Sequence, residues 1–127
     1  VENTAGGKNS VARYMDSIER LWEVIGHLNV GLCLDTCHTW AGGIPTIDAV
    51  KGFKKLVKKI DLIHFNDSKD GFESSRDRHE NLGKGKIPKE ELEYVIKNAK
   101  TDIIVETPNG PDAQKKDIAW IKRRLNK

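Results

Sequence analysis

The chain has 127 residues, 37% of them hydrophobic and 32% charged, and its 22 Lys and Arg against 19 Asp and Glu give a formal charge of +3. This composition fits one small globular domain and excludes a disordered chain, and no apolar run reaches the roughly 18 residues that a membrane-spanning helix needs. The small positive charge permits contact with a polyanion without requiring it.

Apolar spacing predicts an alternation of strands and helices. The opening VENTAGG has the pattern of a strand end followed by a Gly-rich loop, so we expect the chain to begin inside a domain. Ser10 is the predicted N-cap of the first helix. The predicted strands are residues 1–3, 29–35, 60–66 and 102–107, the predicted helices lie within 10–26, 46–58, 86–99 and 112–125, and a polar loop covers 67–86.

This alternation predicts an α/β fold in which a parallel sheet is covered by helices, with residues 1–127 as a single domain. Doubly wound sheets and β/α barrels both fit. In either fold the loops after the strands hold active sites. We expect Ile60, Leu62 and Ile104 on the inner face of the sheet, away from the helices.

Acids and an imidazole stand at the predicted C-terminal ends of the strands. Glu2, Asp35, His64 and Glu106 occur one per strand, and in a barrel these ends converge on one rim. Three carboxylates and an imidazole need a counter-charge there, and a divalent metal such as Zn, Mn or Fe supplies it. The alternative is a set of unrelated polar residues in four loops.

A second group of metal-binding residue types lies in the loops. Asp77 and His79 form an Asp-x-His pair in an extended loop, and His38 follows Asp35 by three residues. All three suit one ion, although such a pair is also common as a solvated hydrogen bond. Cys33 and Cys37, four residues apart, are expected as free packing thiols in a reducing, intracellular compartment, with metal binding as the lesser alternative.

Five short motifs connect the chain to a known family: VENTAG, GLCLDTCH, IHFNDSK, DRHENLGKG and VETP. In order and approximate spacing they resemble the endonuclease IV family of apurinic/apyrimidinic endonucleases. The resemblance covers the whole chain but only the C-terminal half of that family's (β/α)8 barrel, which is a TIM barrel of the xylose isomerase-like type. It implies about four β/α units here.

The resemblance implies a zinc-dependent DNA repair endonuclease, which cuts double-stranded DNA 5′ to an abasic site. Members of the family bind three zinc ions, and Mn²⁺ is an alternative to zinc. Glu2 is similar to the carboxylate that bridges two zinc ions. The other ligands of the second zinc are similar to Asp35, His64 and Glu106. The ligands of the third zinc are similar to His38, Asp77 and His79. Glu2 and Glu106 are also the predicted catalytic residues.

The same resemblance implies how DNA would be held. Lys69 and Arg78 are expected to bind phosphates, although both also fit ordinary surface charge. The family extrudes the abasic nucleotide, which costs less unstacking than extruding an intact base. We expect a cytoplasmic or nucleoid location, or a nuclear one in a eukaryote. Complete enzymes of this type are expected to be monomers.

The chain departs from the family by lacking four strands and the early DNA-contacting loops, as well as part of one metal site, and two alternative functions stay open. The first zinc of the family also takes two histidines from the N-terminal half, and the chain has no candidates for them. A non-catalytic metal-binding fragment, which self-associates or needs its missing half, is therefore one alternative. The other is a sugar isomerase or epimerase with one divalent metal on the same barrel type, which leaves the second group of ligands without a role.

Overall fold

The computed structural model describes all residues from Val1 to Lys127. Its strands are β1 Cys33–Asp35, β2 Leu62–His64, β3 Asp67–Ser68, β4 His79–Glu80 and β5 Asp102–Ile104, and its helices are α1 Met15–Ile25, α2 Thr36–Gly42, α3 Thr46–Leu56, α4 Lys89–Ala99 and α5 Gly110–Leu125. No helix is both long enough and apolar enough to cross a membrane.

The main sheet has the order β1-β2-β5, and both pairings are parallel. Glu2 adds a parallel bridge to Cys33, so the start of the chain lies along the free side of β1. The four predicted strand positions are thus occupied in sequence order by neighbouring parallel segments. This arrangement is the parallel sheet that the alternation predicted, and it is that of consecutive β/α units in a barrel, as the family resemblance implied.

The first predicted helix begins later than expected. Its N-cap is Tyr14 rather than Ser10, because the groups around Ser10 are bound elsewhere. The Ser10 hydroxyl pairs with the Thr4 hydroxyl at 2.5 Å, and the Ala12 carbonyl accepts the Thr4 backbone N–H at 2.9 Å. These contacts hold residues 10–12 against the first loop, so they cannot begin a helix.

Two elements were not predicted. Helix α2 follows β1 directly, with Asp35 as its N-cap and Gly43 in the left-handed region (φ 96°) at its end. The polar loop over 67–86 contains a short antiparallel ribbon, in which β3 pairs Ser68 with His79 of β4. Both elements are too short to show hydrophobic periodicity.

The core lies between the sheet and the outer helices. Leu34, Ile63 and Phe65 are fully buried on the helix-facing side, together with Phe53 of α3. The inner face is more open, since Leu62 is only half-buried and Ile104 is 48% exposed. The expectation that Ile60 also lines this inner face is wrong. Ile60 precedes β2, outside the regular strand alternation, and is completely buried in the core.

Asp67 organises the loop after β3. Its completely buried carboxylate accepts four backbone N–H groups: Oδ1 from Ser68 at 2.8 Å and Ile87 at 3.1 Å, and Oδ2 from Gly83 and Gly85 at 3.0 Å each. Gly85 has no space for a side chain, because a Cβ there would collide with this carboxylate. One side chain therefore fixes the path from the ribbon to α4.

We expect Asp67→Ala to lower the free energy of unfolding by about 2 kcal/mol or more, because four buried donors lose their acceptor. Urea denaturation followed by circular dichroism measures this change. Asp102→Ala is the matched control, since Asp102 is exposed and its carboxylate makes no hydrogen bond. Equal stabilities of the two variants would contradict this role of Asp67.

Candidate metal centre

A first group of ligands, called here the carboxylate cluster, consists of Glu2, Asp35, His64 and Glu106. One ligand atom from each lies within 4.8 Å of the others. His64 Nδ1 is 2.9 Å from Glu2 Oε1 and 3.1 Å from Glu106 Oε2. Because β1 and β2 place Asp35 opposite His64, and parallel strands end on one rim, the topology itself assembles this cluster.

A second group, called here the histidine cluster, consists of His38, Asp77 and His79. The Asp77 carboxylate lies between the two imidazoles, with Oδ2 3.0 Å from His38 Nε2 and Oδ1 3.1 Å from His79 Nε2. Helix α2 presents His38, and the ribbon presents His79. The extended Asp-x-His segment sends both side chains to the same side.

The two clusters meet at one oxygen of Asp35. Oδ2 lies 3.7 Å from His79 Nε2, 3.9 Å from His38 Nε2 and 4.0 Å from His64 Nδ1. The other oxygen, Oδ1, accepts the His38 backbone N–H at 3.0 Å and thereby caps α2. The completely buried Asp35 carboxylate is therefore held at the boundary between two groups of ligands.

The imidazoles of the histidine cluster are oriented as metal ligands usually are. His38 Nδ1 lies 2.8 Å from the Asn3 carbonyl, and His79 Nδ1 lies 3.0 Å from the Glu106 carbonyl. A carbonyl can only accept, so Nδ1 carries the proton and the lone pair is on Nε2. Both Nε2 atoms are buried, and although the Asp77 oxygens lie close to them, neither makes a hydrogen bond. A divalent ion would satisfy both lone pairs at once.

Comparisons with known proteins place this chain in a family. Residues 1–124 match the family described as xylose isomerase-like TIM barrel. The chain belongs to this family. Relatives called Probable endonuclease 4 are 47% identical over 126 residues in Mycobacterium ulcerans and 48% identical over 124 residues in Mycobacterium tuberculosis. The matches cover 99% and 98% of this chain but 49% and 48% of the relatives, so the chain spans about half their length.

A solved structure supports the same assignment. Endonuclease IV from Thermus thermophilus superposes with a TM-score of 0.77 and 31% identity, over 99% of this chain and 49% of that one. The predicted resemblance to the endonuclease IV family and the predicted TIM-barrel fold class are thus both confirmed.

Burial and neighbouring charges have opposite effects on the pKa values of the buried groups in the centre. Burial raises the pKa of Asp35, although the nearby imidazoles of His38 and His79 counteract this effect. Burial disfavours the protonated form of His38, but the Asp35 carboxylate, the Asn3 carbonyl and the other acids outweigh it, so the pKa of His38 is raised. Without a metal, the centre therefore tends to retain protons on its buried groups.

The two cysteines lie beside the clusters, but unlike the candidate ligands they are neutral thiols at ordinary pH. Cys33 lies beside Glu2 and His64, and Cys37 lies beside Asp35 and His79. Burial and neighbouring carboxylates raise the pKa of Cys33 to about 11, and burial raises the pKa of Cys37 to about 12. Both are free thiols, and Cys37 donates to the Arg78 carbonyl at 3.8 Å. Nitrogen and oxygen are therefore the favoured metal donors.

The predicted phosphate-binding residues lie outside both clusters. Arg78 binds Asp70 through two contacts, Nε to Oδ2 at 2.8 Å and Nη2 to Oδ1 at 2.5 Å, and is exposed on the ribbon side. Lys69 is exposed, and its side chain makes no hydrogen bond or ion pair. Of the two, only Lys69 has its charge free for a phosphate.

Sequence reasoning missed two buried asparagines, Asn3 and Asn66. The Asn3 side-chain amide accepts the Asp35 backbone N–H at 2.8 Å and donates to the Asp35 carbonyl at 3.2 Å, while the Asn3 backbone carbonyl binds the His38 ring. Asn66 contacts Asp35 and Glu106 through its side chain. Their positions close after candidate ligands, in ENT and HFN, were the one available signal.

Acidification is expected to release an ion held by the histidine cluster, because a protonated imidazole has no lone pair for a metal. Since the pKa of His38 is raised, proton competition sets in above the ordinary histidine range. Chelator competition with Zn²⁺ as the probe, from about pH 8 to about pH 6, measures the effect. Asp77→Ala is expected to abolish this pH-dependent zinc binding. Asp48→Ala is the control and is expected to retain it, because Asp48 is exposed and lies outside both clusters. A constant affinity over this range would contradict the assignment.

Proposed function

We propose that the chain is the C-terminal half of a zinc-dependent DNA repair endonuclease, which hydrolyses the phosphodiester 5′ to abasic sites in double-stranded DNA. The observation that carries this proposal is the meeting of two ligand clusters at Asp35 Oδ2. Sites with several neighbouring ions are typical of enzymes that cleave phosphodiesters. The relatives called endonuclease support the same reaction class.

The donor atoms of the two clusters suit zinc. Three imidazoles and four carboxylates offer the mixed nitrogen and oxygen set that Zn²⁺ accepts, and Mn²⁺ accepts it too. Asp35, His64, Glu106 and Glu2 would hold one ion, Glu2 would also serve a further ion, and His38, Asp77 and His79 would hold another. The bound ions would supply an activated water and neutralise charge on the phosphate.

The carboxylates at the rim have distinct roles in the proposed reaction. The side chains of Glu2 and Glu106 are 37% and 42% exposed, whereas Asp35 is completely buried. Glu2 and Glu106 therefore face the substrate side, where one of them accepts the proton of the attacking water. The exposed Lys69 binds a backbone phosphate, and Arg78 does so if it exchanges Asp70 for the phosphate.

The sugar isomerase alternative explains less of the centre. One divalent ion would occupy the carboxylate cluster and leave two buried imidazole nitrogens without a partner. Unbound buried polar atoms cost free energy, so a second site that uses them is the simpler interpretation. If DNA is the substrate, the protein would act in the compartment that contains the genome.

Replacing Asp35 or His64 by Ala in the full-length protein is expected to lower the incision rate by about 100-fold or more, because metal ions contribute several kcal/mol to such reactions. A duplex with one abasic analogue measures incision, and circular dichroism verifies folding. The matched controls are Asp102→Ala and His27→Ala, since both residues are exposed and lie outside the clusters. Wild-type incision by Asp35→Ala or His64→Ala would remove these residues from the site.

Residues 1–127 alone are expected to self-associate and to show negligible incision. Strand β5 has a partner on one side only, and a groove of about 580 Å³ runs along it and α5, lined by residues such as Ile103, Ile118 and Leu125. Unpaired strand edges and apolar grooves promote association. Sedimentation velocity and the incision assay test both statements. Robust incision by a proven monomer would show that this half suffices for catalysis.

A further inference from the structure

Asn66 is a fully buried asparagine two residues beyond His64. Its neighbour Phe65 packs in the core, but the Asn66 side chain turns toward the metal centre. A polar side chain with no exposure to water must find all its hydrogen-bond partners inside the protein. The identity of those partners indicates its role.

The orientation of the Asn66 amide is fixed by one backbone contact. Oδ1 accepts the backbone N–H of Glu106 at 2.8 Å, and only the oxygen of the amide can accept it. Nδ2 therefore points to the other side, where it lies 3.0 Å from Asp35 Oδ2 and 3.4 Å from Glu106 Oε2. The two hydrogens of Nδ2 match two carboxylate acceptors.

The backbone of Asn66 is held equally firmly. Its N–H donates to Thr36 Oγ1 at 2.8 Å, and that hydroxyl donates back to the Asn66 carbonyl at 2.6 Å. Thr36 is itself fully buried as the first residue of α2. Every polar group of Asn66 is thus bound, so the residue cannot rotate without breaking contacts to two carboxylate-bearing segments.

We infer that Asn66 is a positioning residue for the metal centre: its amide holds the Asp35 and Glu106 carboxylates at a fixed separation and orientation, so that both bind one ion with His64 and Glu2. The inference rests on the proposed function, since it concerns the ligands of that same site. A neutral donor is suited to this task. A carboxylate in its place would add repulsion, and a cation would compete with the metal.

A purely structural role is the alternative, and Asn81 provides the comparison. Asn81 is also buried, and its amide donates to Asp117 at 2.7 Å and to the Pro108 carbonyl at 3.0 Å. None of these partners belongs to either cluster. If Asn66 only supported the fold, replacing either asparagine would lower stability and leave metal affinity unchanged.

The test measures Zn²⁺ affinity by chelator competition in an Asp77→Ala background, which disables the histidine cluster and isolates the carboxylate cluster. Adding Asn66→Ala is expected to lower the affinity by about 10- to 100-fold, as for other losses of a residue that orients metal ligands. Adding Asn81→Ala is expected to leave the affinity unchanged, while thermal unfolding reports the stability of both variants. Equal affinities, or equal losses with both substitutions, would overturn the inference.

A second measurement uses the unsubstituted chain, in case Asn66→Ala does not fold. With ¹⁵N-labelled asparagine, the side-chain NH₂ signals of Asn66 are expected to shift on addition of Zn²⁺, whereas those of Asn81 stay in place. If the chain binds zinc and the Asn66 signals do not change, the inference is refuted but the proposed function is not. Failure of the carboxylate cluster to bind zinc at all would refute the proposed function, and the inference with it.

Discussion

The buried carboxylate of Asp35 is the constraint on which the rest of the centre depends. One oxygen caps α2 and thereby sets the direction in which that helix presents His38. The other oxygen lies within about 4 Å of imidazole nitrogens from both clusters. An ionised group without exposure to water requires compensation, and here donors and imidazoles provide part of it, since burial still raises the pKa of Asp35. The same carboxylate therefore fixes the start of α2 and the spacing of the imidazoles around it.

The parallel sheet explains how one side chain from each strand is enough to form the carboxylate cluster. Each β/α unit contributes one polar side chain at its strand end, and strand pairing alone places Asp35 beside His64. The histidine cluster then comes from elements that the sheet does not align, a short helix and a two-residue ribbon. Hydrogen bonds have to position these elements, and the four donors to Asp67 do so for the segment after the ribbon.

The residue pattern was sufficient to predict alternating helices and parallel strands with polar side chains at the strand ends, and the family motifs added the barrel order of those strands. It was insufficient for α2, whose seven residues are too few for a helical pattern, and for the start of α1, where the Thr4–Ser10 pair overrides local propensity. Asn3 and Asn66 escaped notice for a related reason. Their roles depend on partners more than 30 residues away, which no local pattern encodes.

The arrangement has an energetic consequence for folding. Without an ion, Glu2, Asp35 and Glu106 repel one another around a single imidazole, and two histidine nitrogens remain unbound. Protonation relieves part of this repulsion, in keeping with the raised pKa values of Asp35 and His38. A bound divalent ion would neutralise the carboxylates and pair with the imidazole nitrogens, and a ligand that binds only the folded state stabilises that state more the tighter it binds. The features that suit the centre to hold a divalent ion would thus also make its stability depend on that ion.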